Sequence, residues 1–436
     1  MINPNSNERE GITLAAGYVR YILESRTPAL PRWFIEGIME LYGTVRFTEP
    51  PLKAGFESGG VVDNPANAPN TFRSEVTVDP VFWTSDAATR RMKKDNMAKL
   101  KLLPLGDLFA EQLIEARPAE QQQLWRAQAS LFIRWALDPV KASPDGAGVR
   151  AQALWNFLQR SADGPVTEAL FQDCFGQGYA AAEATLREYL PRALRNSYSL
   201  RTAQPIKPPK FTLRNATPLE VSRVKGELTR LEIGYVRARY PGITASYIEQ
   251  ARRTLRMAYD TGEREPRLLA ALGLCECDAL DDSAALPFLQ AATAAKVLRP
   301  RAYYEQARIE FNQLIAAKGE TKPTVKELGN VLQLLATARQ QSPAQVEVYE
   351  LYAKVGVRGA MPLSKVMDDI LNEGLRLFPR NFRLIMAVSI LHALHGRIDE
   401  TKELIARGYA VTANPGEREK LDRLLAAINR DIEDTP

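Results

Sequence analysis

Five prolines recur at regular intervals in the second half of the chain, and this period constrains the fold more than any other feature. They are separated by 34, 43, 36 and 36 residues: Pro266, Pro300, Pro343, Pro379 and Pro415. Each interval contains two amphipathic helix patterns with a short break between them. A single helix pair cannot bury its apolar face alone, whereas stacked pairs bury a continuous core. The period therefore predicts a mainly α fold whose second half is an α-solenoid.

The breaks between paired helices are short and contain polar residues or glycine, at 281–283, 318–320, 359–362 and 396–399. The interval of 43 residues predicts an inserted loop at 317–323. An earlier helix pair at 221–240 and 246–259 would begin the array, and a helix at 416–432 would cap it. We therefore predict about five helix pairs and a capping helix.

The period, and the proline that opens each unit, resemble the tetratricopeptide repeat (TPR), whose unit has about 34 residues. The resemblance implies a concave surface, lined by the first helix of each pair, that binds peptide or protein segments. Polar and aromatic residues on these first helices are the predicted peptide-binding residues: Arg267, Tyr303, Tyr304, Arg308, Tyr349, Tyr352 and Arg383. The alternative is that about half of the tyrosines lie in the core.

Charge and hydropathy indicate which partners to expect. The net charge of +5 is small for 436 residues, and basic and acidic residues are interspersed, so no nucleic-acid partner is predicted. No apolar run approaches the ~18–20 residues of a membrane span. The first residues are polar and do not resemble a signal peptide. The default compartment is therefore cytoplasmic, or periplasmic or secreted if the N-terminus is truncated, and the expected partner is a protein or peptide segment.

A helix pattern with a strong apolar stripe begins after Pro31 in the first half of the chain. The stripe runs from Trp33 to Leu41 at spacings of three and four residues. Glu36 and Glu40 are four residues apart, so their carboxylates project from one side of this helix, next to the stripe. A carboxylate beside a tryptophan on the apolar stripe is an unusual placement, so Glu36 is expected to have a specific role.

The segment Trp33-Phe34-Ile35-Glu36-Gly37 resembles the W-[LF]-x-E-G motif of gluzincin-type zinc peptidases, in particular the bacterial peptidase-MA-like family. The order of helix patterns that follows extends the resemblance over roughly 10–195. In that family the Glu of this motif is the third zinc ligand, and an upstream H-E-x-x-H helix supplies the other two ligands and the general base. The resemblance therefore implies a helical domain with the frame of a peptidase.

The upstream positions do not carry the residues of a zinc site. The positions of the two histidines and of the general base hold Gly17, Thr13 and Leu14, and the chain's only histidines are His392 and His395. A catalytic zinc needs three protein ligands. We therefore predict no catalytic residue, no metal site and no cofactor, with Glu36 as a vestigial third-ligand position.

Glu36 should then have a structural role. An unpaired carboxylate beside Trp33 would be costly, so Glu36 should accept hydrogen bonds or pair with a base such as Arg20 or Arg32.

Three smaller features favour a structural role over a metal or redox site. His392 and His395 lack a third ligand, Cys275 and Cys277 are expected to be buried on a repeat helix, and weak alternation at 72–78 predicts a short strand.

These patterns divide the chain into a degenerate peptidase-MA-like helical domain at 1–200, a linker rich in Pro and Lys at 201–216, and TPR-like repeats at 217–436. The favoured function is a non-catalytic interaction or scaffold protein that uses the concave surface of its repeats and carries a pseudo-peptidase domain. The alternative is the C-terminal portion of a gluzincin-type zinc metallopeptidase whose H-E-x-x-H part is missing from this chain. Zinc is expected only under that alternative.

Overall fold

The computed structural model describes residues 16–48, 75–78, 102–110, 118–138, 146–162, 166–196, 198–201, 214–412 and 414–433. The chain forms two compact units, Met1–Phe211 with Tyr409–Arg418, and Thr212–Gly408 with Glu419–Pro436. Helices make up most of the described residues in both units, which confirms the mainly α fold. Thr13, Leu14 and most of the predicted linker at 201–216 lie outside the described residues.

Between Met1 and Phe211, the described residues of the first unit form seven helices and one small sheet. The helices are α1 (Ala16–Glu24), α2 (Arg32–Tyr42), α3 (Leu105–Phe109), α4 (Ala119–Leu137), α5 (Gly146–Arg160), α6 (Glu168–Phe175) and α7 (Tyr179–Ala193). The strands β1 (Val45–Thr48), β2 (Glu75–Val78) and β3 (Tyr198–Arg201) pair antiparallel in that order, with Val45 opposite Val78 and Glu75 opposite Arg201. The short strand predicted at 72–78 is confirmed by β2.

The helix α2 begins directly after Pro31, as predicted, because proline fixes an extended entry and lacks the N–H that a first turn leaves unbonded. Its apolar stripe is buried, and Trp33 is 0% exposed. Gly37 allows α2 to lie directly against α4. A Cβ atom placed on Gly37 would lie 2.8 Å from the backbone carbonyl carbon of Ala129, so no other residue fits there without separating the helices.

Aromatic rings fill the core of the first unit. The ring of Phe109 lies 5.3 Å from that of Phe132, 5.1 Å from Phe157 and 5.7 Å from Phe171, measured between centroids. Several of these pairs meet edge to face, the arrangement that aromatic quadrupoles favour. Most of the Trp and Phe residues that the structure describes in the first half are thus core residues.

The second half of the chain is a stack of helix pairs. Its helices are α8 (Pro218–Arg239), α9 (Thr244–Asp260), α10 (Pro266–Asp278), α11 (Asp282–Ala294), α12 (Pro300–Lys318), α13 (Gly329–Arg339), α14 (Val346–Arg358), α15 (Lys365–Leu377), α16 (Phe382–Leu394), α17 (Ile398–Val411) and α18 (Pro415–Glu433). The first helix of a pair contacts the second in α8–α9, α10–α11, α12–α13 and α14–α15. Successive first helices also contact one another, from α8 through α10, α12 and α14 to α16. This layered stack confirms the TPR-like α-solenoid.

Small residues bring paired helices close together. A Cβ atom on Gly273 of α10 would lie 2.7 Å from Cγ of Leu289 in α11, and one on Gly226 of α8 would lie 2.6 Å from Cγ of Leu255 in α9. The same contact in two successive pairs shows that the repeat seen in the prolines extends to the packing. Pro266, Pro300 and Pro415 are the first residues of their helices.

Candidate peptide-binding face

The first helices α12, α14 and α16 present accessible side chains at equivalent positions on one side of the stack, whereas α10 contributes Arg267 alone because the rest of that helix is largely buried. Each begins with a charged residue near its N-terminus, and the positions three and seven residues later lie on the same side of the helix. A salt bridge from Arg301 to Glu347 joins this side of α12 to α14, and the charge of Arg383 on α16 acts on Glu350. We call this surface the first-helix face. Its residues are Arg267, Arg301, Tyr304, Arg308, Glu347, Glu350, Lys354, Arg383, Met386 and Ile390.

Arg301 has three neighbours that hold its side chain in place on the first-helix face. Its guanidinium donates to Glu347 at 2.6 Å, lies 2.7 Å from the buried Glu305, and stands 4.9 Å from the ring centre of Tyr304. Burial disfavours the charged form of Arg301, but Glu305 and Glu347 outweigh it and raise the pKa of the guanidinium. The cation is thereby held in one place over an aromatic ring.

Tyr304 and Glu350 are partly buried on this face, and burial raises the pKa of both. Burial raises the pKa of Tyr304 to about 12, so its hydroxyl stays protonated and can donate a hydrogen bond at neutral pH. Burial also raises the pKa of Glu350, with the nearby Glu347 adding to the effect and Arg383 opposing it. Removal from water strengthens interactions between charges, so charged contacts to a ligand would be stronger here than on a flat surface.

Arg308 connects α12 to the preceding pair. Its guanidinium donates to both carboxylate oxygens of Asp282, at 2.9 and 2.6 Å, and to Glu305 at 2.6 Å. These hydrogen bonds raise the pKa of Arg308. With this many donors engaged, the main contribution of Arg308 is to hold α12 against the start of α11.

Three of the predicted peptide-binding residues lie in the core. Tyr303 is 5% exposed, Tyr349 is 1% exposed and Tyr352 is 3% exposed. The hydroxyl of Tyr349 donates to Glu373 on α15 at 2.6 Å, which ties the two helices of that pair together. The core alternative therefore describes these three tyrosines, because a buried side chain cannot contact a peptide.

The other predicted residues are accessible. Arg267 and Arg383 are exposed, while Tyr304 and Arg308 are partly buried. Peptide binding by these four residues stays a prediction, developed below. Arg301 was not among the predicted residues, although it follows Pro300 just as Arg267 follows Pro266. That equivalence within the period was a signal that could have identified it.

The helix α16 adds an apolar section to the first-helix face. Most of its residues are apolar, yet Met386 and Ile390 remain partly exposed and Leu394 is 60% exposed. A helix that is apolar all round normally has no open side. The face thus combines charged residues on α12, α14 and the start of α16 with apolar residues farther along α16.

Glu36 is held by arginines in the first unit. Arg20 donates to both carboxylate oxygens, at 2.8 and 3.2 Å, and Nε of Arg126 lies 3.6 Å from one of them. Burial would raise the pKa of Glu36, but the hydrogen bonds and charge of Arg20 outweigh burial and lower it. The predicted pairing of Glu36 with Arg20 is confirmed. Both carboxylate oxygens of Glu36 thus accept hydrogen bonds from the Arg20 guanidinium.

The histidines and cysteines occupy ordinary structural places. His392 is buried and lies 3.2 Å from Asp368 through Nε2, while burial lowers its pKa. Cys275 and Cys277 are buried, as predicted, and burial raises the pKa of each thiol to about 12. Across the ranges that the structure describes, no three metal-ligating side chains cluster, and no helix has the length and apolarity to cross a bilayer.

A cleft of about 490 Å³ lies among α9, α10 and α11. Arg252 donates to the buried Glu276 through Nε at 2.9 Å, and Arg256 lies 3.9 Å from the same carboxylate. Asp281, at the rim, accepts the backbone N–H of Ala284 and so caps α11. These charges satisfy one another, so the cleft indicates no particular ligand.

Comparison with known proteins assigns the chain to no family. No protein-family model matches the chain, and no curated protein sequence matches it. A solved structure titled "Functional Characterization of Pseudomonas Aeruginosa pilF" is similar over 49% of this chain and 95% of its own, with 14% identity and a TM-score of 0.32. That similarity is too low to support any argument about function.

Proposed function

We propose that the second unit binds an extended segment of another protein on its first-helix face, and that the chain acts as an interaction or scaffold protein. The observation that carries this proposal is the continuity of the face. The salt bridge from Arg301 to Glu347, 2.6 Å long, and the neighbouring Glu350 and Arg383 join accessible side chains across α12, α14 and α16.

The chemistry of the face suits a peptide. Tyr304 offers a protonated hydroxyl and a ring, Lys354 and Arg383 are exposed cations, and Met386 and Ile390 offer partly exposed apolar surface. A peptide can use backbone, charged and apolar contacts together, whereas a nucleic acid presents mainly phosphate to its binding proteins. Glu347 and Glu350 in the middle of the face would repel phosphate. These features favour a protein segment that carries apolar residues and charges of both signs.

For the first unit we propose a structural role for Glu36 and no catalytic role. Its pairing with Arg20 and Arg126 supports this, because a carboxylate that accepts hydrogen bonds from a guanidinium on both oxygens is stabilised as a fixed part of the fold. The pseudo-peptidase origin of the first unit, and the alternative of a metallopeptidase whose H-E-x-x-H part lies elsewhere, stay predictions from the sequence motif.

The test is a pull-down from the native host with the full chain as bait. The affinity of the full chain for the captured segment is then measured. Tyr304→Ala and Arg383→Glu should each weaken binding about tenfold or more, because aromatic and arginine contacts dominate such interfaces. Arg253→Glu is the control, since Arg253 is exposed on a second helix, α9. Equal loss in the control, or unchanged binding in both face variants, would contradict the proposal. If the full chain captures a nucleic acid and no protein, the proposal of a protein partner is wrong.

A further inference from the structure

The helix α8 exposes an apolar stripe on the side that faces away from the stack. Val221, Val224, Leu228 and Leu231 are 38%, 47%, 46% and 60% exposed. They follow one another at spacings of three, four and three residues, which is the spacing of the contact seam in paired helices. We call these four residues the α8 stripe. The opposite side of α8 is buried through residues such as Ile233, so the helix has two apolar sides.

The position of α8 makes this stripe unusual. α10, α12 and α14 each have a first helix on both sides, whereas the described helices that contact α8 broadly are α9 and α10. The helix at the end of a solenoid normally has a polar outer side, because nothing stacks on it. Here the outer side is apolar, so the end of the array is shaped for a further contact.

The start of α8 is well fixed, which makes the stripe a rigid surface. Thr217 accepts the backbone N–H of Glu220 at 3.2 Å, and the Glu220 carboxylate accepts the N–H of Thr217 at 2.9 Å. This reciprocal cap satisfies the N–H groups that the first turn leaves unbonded. The helix then continues for 22 residues. A partner helix would therefore meet a preformed surface.

The charges beside the stripe match a second copy of the same helix. Lys225 and Glu232 are both exposed, and they lie seven residues apart on one edge of the stripe. If two α8 helices pack antiparallel about a two-fold axis with Leu228 against Leu231 of the second copy, Lys225 and Glu232 of the second copy lie on the same edge, offset by two residues or about 3 Å along the axis, within reach of a Lys side chain. Symmetry repeats that pair, so two attractive contacts form.

We propose that the α8 stripe is a homodimer interface in which the α8 helices of two chains pack antiparallel. The stripe fits this occupant because its edge carries one charge of each sign at the spacing that its own reversed copy complements. A single helix pair has a small contact area, at the weak end of specific interfaces. The dimer should therefore form reversibly as the protein concentration rises. This proposal is independent of the first-helix face.

The first test is sedimentation of the purified full chain over a hundredfold range of concentration. The expected result is a reversible monomer–dimer equilibrium that Leu228→Glu abolishes. Leu298→Glu is the matched control, since Leu298 is 79% exposed and lies outside α8, and it should leave the equilibrium unchanged. Circular dichroism should show the same helix content in both variants. A chain that stays monomeric throughout, or a dimer that survives Leu228→Glu, would overturn the proposal.

The second test reverses the edge charges. Lys225→Glu or Glu232→Lys alone should weaken the dimer about tenfold, because each places like charges opposite one another at two symmetric sites. The double variant should restore wild-type association. Weakening that the double variant does not restore would refute the antiparallel arrangement, as would single variants that associate normally. If another protein covers the stripe instead, the purified chain will be monomeric and the proposal fails.

Discussion

Replacing Gly273 with alanine should destabilise the second unit, although alanine is the better helix former. Gly273 lies inside α10, where the change would normally add about 1 kcal/mol of stability. The added methyl group would lie 2.7 Å from Cγ, 2.8 Å from Cδ2 and 3.2 Å from the backbone nitrogen of Leu289. Leu289 is fully buried, so its side chain has no open space to move into.

The size of the destabilisation follows from comparing the gain in helix propensity with the cost of overpacking the contact to Leu289. Overpacking a close-packed core by one methyl group costs about 1–3 kcal/mol, and the nearby backbone nitrogen places this site toward the upper part of that range. After subtraction of the gain in helix propensity, the free energy of unfolding should fall by about 1–2 kcal/mol. For a unit of this size that corresponds to a melting temperature lower by about 4 °C.

Urea and thermal unfolding, followed by circular dichroism, measure this change. The control is Gly234→Ala in α8, where nothing lies within 4 Å of the added atom, and which should raise stability by about 0.5–1 kcal/mol. Leu289→Ala alone should cost about 2–5 kcal/mol, and combined with Gly273→Ala it should cost less than the sum, because it removes the overlapping atoms. If Gly273→Ala is as stable as the wild type, the close α10–α11 packing is refuted.

Three further predictions concern other parts of the chain. Glu36→Gln should lower stability by about 1 kcal/mol at neutral pH. The pKa of Glu36 is lowered in the folded state, so this stability is present above its unfolded pKa and is lost as the pH falls through the folded pKa. Denaturation at several pH values should therefore show the stabilities of wild type and variant converging in acid. Tyr349→Phe should cost about 1 kcal/mol by removing the donor to Glu373, and equal stability in urea would speak against that bond. A thiol reagent should modify Cys174 well before Cys275 and Cys277, which are buried with thiol pKa values of about 12; three equal rates would contradict their burial.

The proline period was enough to locate the repeat helices because proline acts locally. Pro266 and Pro300 occupy the first position of their helices, where a missing N–H has no cost. Pro343 and Pro379 instead lie three residues before α14 and α16, so the period alone locates those helices less closely. In α7, Pro191 lies in the last turn, and the helix continues to Ala193. A proline in the last turn removes only one hydrogen bond, which is why the helix can continue past it.

The binding face was harder to predict because a sequence period does not show which way a side chain points. Tyr303 and Tyr304 are neighbours on α12, yet one is in the core and the other is on the face, since successive residues turn about 100° around a helix. Tyrosine suits both places, with an apolar ring and a polar hydroxyl. The tie from Arg308 to Asp282 joins residues 26 apart, so only the folded structure could show that this arginine is already engaged.

Site-specific photo-crosslinking tests the central claim, peptide binding on the first-helix face, most directly. A photoreactive residue would replace Tyr304 or Arg383 in the full chain, with Arg253 as the control position, and mass spectrometry would map the crosslinked partner residues. First helices about 10 Å apart place α12 and α16 about 20 Å apart, a distance that about six residues of extended peptide span. The account predicts crosslinks from both face positions to one partner segment, about six residues apart, and none from position 253. Crosslinks to the same segment from position 253, or to unrelated partners from the two face positions, would contradict it.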